Sequence, residues 1–151
     1  MRLRWAQYLS TRGRLDEAER EVEEAVRLEP AQSAVHTMRA GILYLRKEWV
    51  NSIAAARQSL AMNPDDFAAW AWIYRSEMML GNDRDAIWAL VQNHGSYMGL
   101  SEKSKENLME HLFAIHKRAG LDGVLKHWLN HTSSPPGISR LRYHRLPGAL
   151  G

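Results

Sequence analysis

Residues 13–30 read GRLDEAEREVEEAVRLEP. The stretch opens on glycine, closes on proline and carries charge at most positions between them. Its composition fits a solvated helix, a coiled-coil segment or an acidic tail. The apolar residues decide among these. Leu15, Ala18, Val22, Ala25 and Val26 recur at steps of three and four, which places them on one face of an amphipathic helix. Asp16, Glu17, Glu19, Arg20, Glu21, Glu23, Glu24 and Arg27 cover the remaining surface. Asp16 and Glu17 fall in the first turn, where negative charge is favoured by the positive end of the helix dipole. Gly13 and Pro30 punctuate the two ends. Pro30 stops the pattern before the several heptads that a coiled coil needs.

The stretch recurs. Residues 47–64, KEWVNSIAAARQSLAMNP, have the same length and the same final proline, 34 residues later. Pro30 aligns with Pro64, Leu15 with Trp49, Val22 with Ala56 and Val26 with Leu60. A third copy, GNDRDAIWALVQNHGSYM, begins at Gly81, a further 34 residues on. There Gly13 aligns with Gly81, Ala18 with Ala86 and Val22 with Leu90. A fixed 34-residue period of paired helices is the tetratricopeptide spacing.

Residues 1–98 resemble tetratricopeptide repeats, and the resemblance extends in weaker form to about residue 131. The first unit keeps the family's Gly13, Ala18, Ala25 and Pro30. The second keeps Pro64, with Lys47, Ser52 and Ser59 at the Gly and Ala positions. The third keeps Trp70, Gly81 and Ala86, with Asn93 and Met98 replacing the late Ala and Pro. Small residues at the Ala sites let helices approach closely, and Gly permits the positive φ that ends the preceding helix. The resemblance implies an all-α fold, a right-handed superhelical array of antiparallel helix pairs. The pairs are 1–30, 31–64, 65–98 and a divergent 101–131. First helices are predicted at about 1–12, 32–46 and 66–80, and second helices at about 15–28, 49–62 and 83–93. HGSYMGLS, residues 94–101, reads as a longer connection. Ser101 is then the N-cap of a helix with an apolar stripe of Leu108, Leu112, Ile115 and Ala119. Gly120 closes it, and LDGVLKHWLNH is its partner helix.

The segment 132–151 begins as a linker, since Pro135, Pro136 and Gly137 do not fit a helix interior. ISRLRYHRL could form a short helix before Pro147, and Leu150–Gly151 resembles the close of a first helix. The chain is therefore expected to be a fragment whose last repeat is truncated. AIHKRAGLDGVLKHWLNH, with Ser134–Pro135 and the final LPGALG, is similar to the repeat region that follows a winged-helix or protein-kinase domain in some bacterial regulators.

In this family the first helices line a concave groove for peptides or protein segments. Carried across position by position, the groove is expected to present Gln7, Ser10 and Thr11 from the first unit, and Thr37, Gly41, Tyr44 and Leu45 from the second. The third would add Arg75, Met78 and Met79, and the fourth Asn107, Glu110, Lys117 and Arg118. The methionines are suited to repacking around varied ligands. Chaperone-binding members clamp a C-terminal carboxylate with cations and asparagines. The matching positions here are Leu3, Gln7, Met38, Ala68 and Trp72, so that mode of binding is not expected.

Chemistry is sparse. The absence of cysteine excludes disulfides, thiolate metal sites and cysteine nucleophiles. No G-x-S-x-G, G-x-G-x-x-G, Walker A or H-E-x-x-H occurs. His127 and His131 are four apart and could share a helix face, but His111 and His116 are five apart and no compact third ligand is evident. Surface or interhelix histidines without a metal are expected, and no cofactor. Glu23 and Glu24 are adjacent carboxylates on a polar face, not a pair flanking a cleft. Trp5, Trp49 and Trp70 fall at packing positions, whereas Trp72, Trp88 and Trp128 are candidate contact residues, with packing between repeats the favoured alternative. Arg140, Arg142, Tyr143, His144 and Arg145 interleave an aromatic with cations, but a domain-joining tail explains them better than nucleic-acid binding. A net charge of +3 is too small to argue for nucleic acid. With no membrane span and no signal peptide, the expected compartment is the cytoplasm. The expected function is a non-enzymatic protein-interaction scaffold, part of a larger bacterial regulator. The alternative is a homo-oligomerisation module that uses the ends of the array, and a metal-dependent enzyme is the remaining one.

Overall fold

The computed structural model describes residues 2–131. Expectations for residues 132–151 lie outside that range. The described residues form seven helices and no strand: α1 (Arg2–Thr11), α2 (Leu15–Leu28), α3 (Ser33–Leu45), α4 (Trp49–Met62), α5 (Phe67–Leu80), α6 (Asp83–Met98) and α7 (Glu102–His131). Each helix packs on the next in sequence. In addition, α1 touches α3 and α3 touches α5.

The period is written in the backbone. The even helices α2, α4 and α6 start at Leu15, Trp49 and Asp83, each 34 residues after the last. The turn before each holds one residue at positive φ: Gly13 at 75°, Lys47 at 64° and Gly81 at 79°. Its hydrogen bonds repeat in the same phase. The amides of Arg14, Glu48 and Asn82 donate to the carbonyls of Leu9, Leu43 and Glu77, at 2.9 Å each. A left-handed residue lets the chain satisfy these helix-end carbonyls while reversing direction. Glycine adopts that conformation without steric cost; lysine does not.

The small-residue positions do what close packing requires. Ala18, Ser52 and Ala86 are fully buried. So are Ser59 and Asn93, which replace the late alanine, and both polar groups find partners at the start of α5. Ser59 Oγ donates to Asp66 Oδ2 at 2.8 Å, and Asn93 Nδ2 donates to the Phe67 carbonyl at 2.5 Å. The departures from the repeat pattern thus tie even helices to the following or preceding odd helix.

The core has two parts. Ala6, Leu9, Ala18, Val22 and Ile42 form one cluster at the α1–α3 end. A larger one runs from Ala40 on α3 to Trp128 on α7. The charges around α2 form more than a solvated face. Arg39 of α3 pairs with Glu23 at 2.6 Å, Arg2 of α1 with Glu21 at 3.3 Å, and Arg46 with Asp16 and with Glu19, the latter at 3.0 Å. These pairs are open to solvent, which screens them, so they orient α2 more than they stabilise it.

One boundary differs from expectation. Helix α6 runs to Met98, and only Gly99, Leu100 and Ser101 connect it to α7. Gly99, at φ 68°, is the residue that ends α6. Gly95 leaves room inside α6 for the Lys105 side chain, whose Cε would lie 2.6 Å from a Cβ there. Helix α7 breaks at Gly120, with φ 69° and ψ −171°. Its two arms fold back on each other, bringing His111 against His127 and Gly123 against Ala119. The two arms lie on either side of Gly120, and Ser101 caps the first by accepting from the Ser104 amide at 3.1 Å.

Candidate functional site

Helices α1, α3 and α5 together line a groove of about 660 Å³. Helix α3 forms its floor through Ala34, Thr37, Met38, Gly41 and Leu45, spaced by three and four. Gln7, Ser10 and Thr11 form the α1 wall, and Trp72 and Arg75 the α5 wall.

The α5 wall depends on Gly41. A Cβ there would lie 2.8 Å from Trp72 Cζ2, so only glycine lets the indole lie flat against α3. Tyr44 backs the indole at 5.4 Å between ring centroids, and the Arg75 guanidinium lies 4.9 Å from it. This cation–π contact holds a cation in a largely apolar wall. Asp66 closes one end of the groove. Its Oδ1 accepts from the amides of Ala68 at 3.0 Å and Ala69 at 3.2 Å, capping α5. Its Oδ2 accepts from Thr37 at 2.5 Å and Ser59 at 2.8 Å. A carboxylate with four donors is a structural anchor rather than a general base. Ser10 and Thr11 donate their hydroxyls to the carbonyls of Gln7 and Tyr8 on their own helix. Both residues line the groove, and the Gln7 side-chain amide makes no hydrogen bond among the described residues. The groove therefore offers apolar surface with a few hydrogen-bonding groups along one side.

The structure brings together Gln7, Ser10, Thr11, Thr37, Gly41, Leu45 and Arg75 of the expected set. It does not bring in the others. Tyr44 is wedged between Trp49 and Trp72 and supports the wall from behind. Met78 is buried in the core, and both Met78 and Met79 line a separate hollow with Gly81, Asp83 and the α7 bend at Ala119–Asp122. They lie further along α5 than Trp72 and Arg75, beside the next helix pair. Asn107, Glu110, Lys117 and Arg118 are exposed on α7 and take no part in the groove. The fourth pair is offset from the third, since Gly120 follows Gly81 by 39 residues rather than 34.

Met38, Ala34 and Asp66 are groove residues absent from the expected interaction set, and Trp72, a candidate contact residue, lies in the groove with them. The spacing of Ala34, Met38, Gly41 and Leu45 along α3 carried that information. The tryptophan assignments also change. Trp128 is buried to 1% exposure as the largest enclosed side chain, while Trp5 is 46% exposed and stacks on the equally exposed Tyr8. Trp88 remains exposed, and Trp72 is in the groove.

Among the described residues, no group of three or more His, Asp or Glu side chains is placed to hold a metal, and no helix is long and apolar enough to cross a membrane. Burial pushes the His94 imidazole below its usual pKa; its ring meets Trp128 edge-on at 5.1 Å. His127 is also lowered, by desolvation first and then by His131, His111 and Arg118. His116 instead bonds Asp83 at 2.9 Å and links α7 to α6. No protein-family model and no curated protein matches the chain.

Proposed function

We propose that this chain is a binding scaffold of the tetratricopeptide kind, an array of helix pairs with a right-handed superhelical path that holds an extended protein segment in the groove. The observation that carries the reading is the groove itself, shared by α1, α3 and α5 at a 34-residue spacing of turns. Contacts between successive odd helices, added to those between neighbours, favour an array curved with its odd helices inside. Such a surface reads a peptide through apolar contact with Met38, Leu45 and Trp72 and hydrogen bonds to Gln7 and the α1 hydroxyls. It acts by binding, because its one carboxylate is committed to capping α5. The similarity of residues 114–151 to regulator repeats supports a place in a larger bacterial regulatory protein, in the cytoplasm.

The test is selection from a random peptide library against the untagged chain. Ala34→Arg and Leu45→Arg place bulk and charge in the groove at exposed positions. Selected peptides should bind the double variant at least about tenfold more weakly, a loss of roughly 1.4 kcal/mol. Equal binding to both proteins would refute the groove as the site.

Self-association is a second reading, favoured by the exposed Trp5–Tyr8 stack with Arg12 5.3 Å from the Tyr8 ring. Aromatic and arginine side chains are enriched at interface centres. Light scattering should then show a dimer that Trp5→Ser dissociates; a monomer at high concentration would leave the surface without this role.

A further inference from the structure

The bend in α7 brings together two histidines that the sequence separates by 16 positions. His111 lies on the arm before Gly120 and His127 on the arm after it. Their Nε2 atoms are 3.1 Å apart and their ring centroids 4.8 Å apart. Two imidazoles bound through nitrogen to one first-row metal, at about 2.0–2.1 Å each, place those nitrogens roughly 3.0–3.4 Å apart. We propose that His111 and His127 form a two-histidine site for a divalent transition metal, which ties the two arms of α7 together.

Two features support the assignment. The His127 ring is held in place: His131 stacks on it at 4.2 Å between centroids, with 18° between planes. His131 itself is fixed because its Nδ1 donates to the His127 carbonyl at 2.9 Å. Imidazole nitrogen suits copper, nickel and zinc, whereas magnesium and calcium require oxygen donors. Among the described residues no third protein ligand joins the pair, so water would complete the coordination. Arg118 opposes a cation here, but it is exposed and its charge is screened by solvent.

The competing arrangement is a neutral pair in which one Nε2 donates a proton to the other. Titration with nickel chloride and cupric chloride distinguishes the two. The protein carries no polyhistidine tag, and binding is followed by calorimetry and by thermal unfolding at neutral pH. One equivalent of nickel should bind and raise the unfolding temperature, and copper should bind more tightly than nickel. His111→Gln changes an exposed side chain and should weaken nickel binding about a hundredfold, because a chelated pair becomes a single ligand. His116→Gln, which lies outside the pair, should bind as the wild type does. Cupric electron paramagnetic resonance should show two imidazole nitrogens in the wild type and one in His111→Gln. Affinity should fall at pH 5.5, where protons compete for the ligands. A proton-sharing pair only, shown by no saturable binding at millimolar metal or by equal binding in His111→Gln, would overturn the proposal.

Discussion

Lys47 is the residue where the repeat and its local chemistry disagree. It occupies the turn position held by Gly13 and Gly81 and adopts the same left-handed backbone, at φ 64°. A side chain there brings Cβ close to the carbonyl oxygen, a cost of about 1–2 kcal/mol. The neighbouring hydrogen bonds, Glu48 amide to Leu43 carbonyl and Lys47 amide to Tyr44 carbonyl, hold the residue in place despite that cost. Lys47→Gly should therefore stabilise the protein by about 0.5–1 kcal/mol in urea denaturation, after glycine's greater unfolded entropy is allowed for. No gain in stability would mean that the turn is not strained. The substitution leaves the groove unchanged because Lys47 is exposed away from it.

At the scale of elements, the join between α3, α4 and α5 rests on Asp66. One carboxylate caps α5 and accepts from Thr37 of α3 and Ser59 of α4. Its loss would uncap a helix and strip two hydroxyls of an acceptor at once. Asp66→Ala should cost about 2 kcal/mol, more than the ~1 kcal/mol of an isolated cap. Asp66→Asn keeps the cap and should lie between the two, and Thr37→Val in the Asp66→Ala background should cost little further. Additive losses in that double mutant would show that the hydroxyls are not coupled through Asp66. The α6–α7 join is different in kind. It is mostly apolar, built on Leu90, Leu112, Leu125 and Trp128, with His116–Asp83 as a polar link at its edge.

For the molecule as a whole, acid should act first through α6 and α7. His94 and His127 both have folded-state pKa values below the usual histidine range. The unfolded chain therefore takes up protons before the folded one does. Stability contributed by these groups is complete above about pH 6.5 and declines as pH falls below it. A second decline should follow at lower pH, because Asp16, Glu17 and Glu24 are held below the usual carboxylate range by Arg46, Arg14 and Arg27. Urea midpoints measured between pH 7.5 and 5.5 should drop, and His94→Gln should reduce the dependence. An unchanged midpoint across that window would show that neither imidazole resists protonation in the fold.

Some of this architecture was legible in the residues alone. The 34-residue period, the starts of α2, α4 and α6, and the turns at Gly13, Lys47 and Gly81 follow from local interactions: apolar spacing on one helix, backbone φ and hydrogen bonds within a few residues. Half of the groove was legible for the same reason, since Gln7, Thr11, Thr37 and Arg75 keep their phase within intact units. The sequence by itself thus determined that the described residues are all-helical, where the first six helices begin and which of their faces is apolar. It could not locate the end of α6, because the closing proline is replaced by Met98 and helix and loop compete there on nearly equal terms. Only the tertiary structure decided that Trp128 is core and Trp5 surface, that Met78 and Met79 belong to a different hollow, and that His111 meets His127. The physical reason is the same in each case: helical phase fixes which residues share a face, but which face is covered depends on how neighbouring helices cross. That crossing changes where the spacing of turns lengthens and α7 folds back at Gly120.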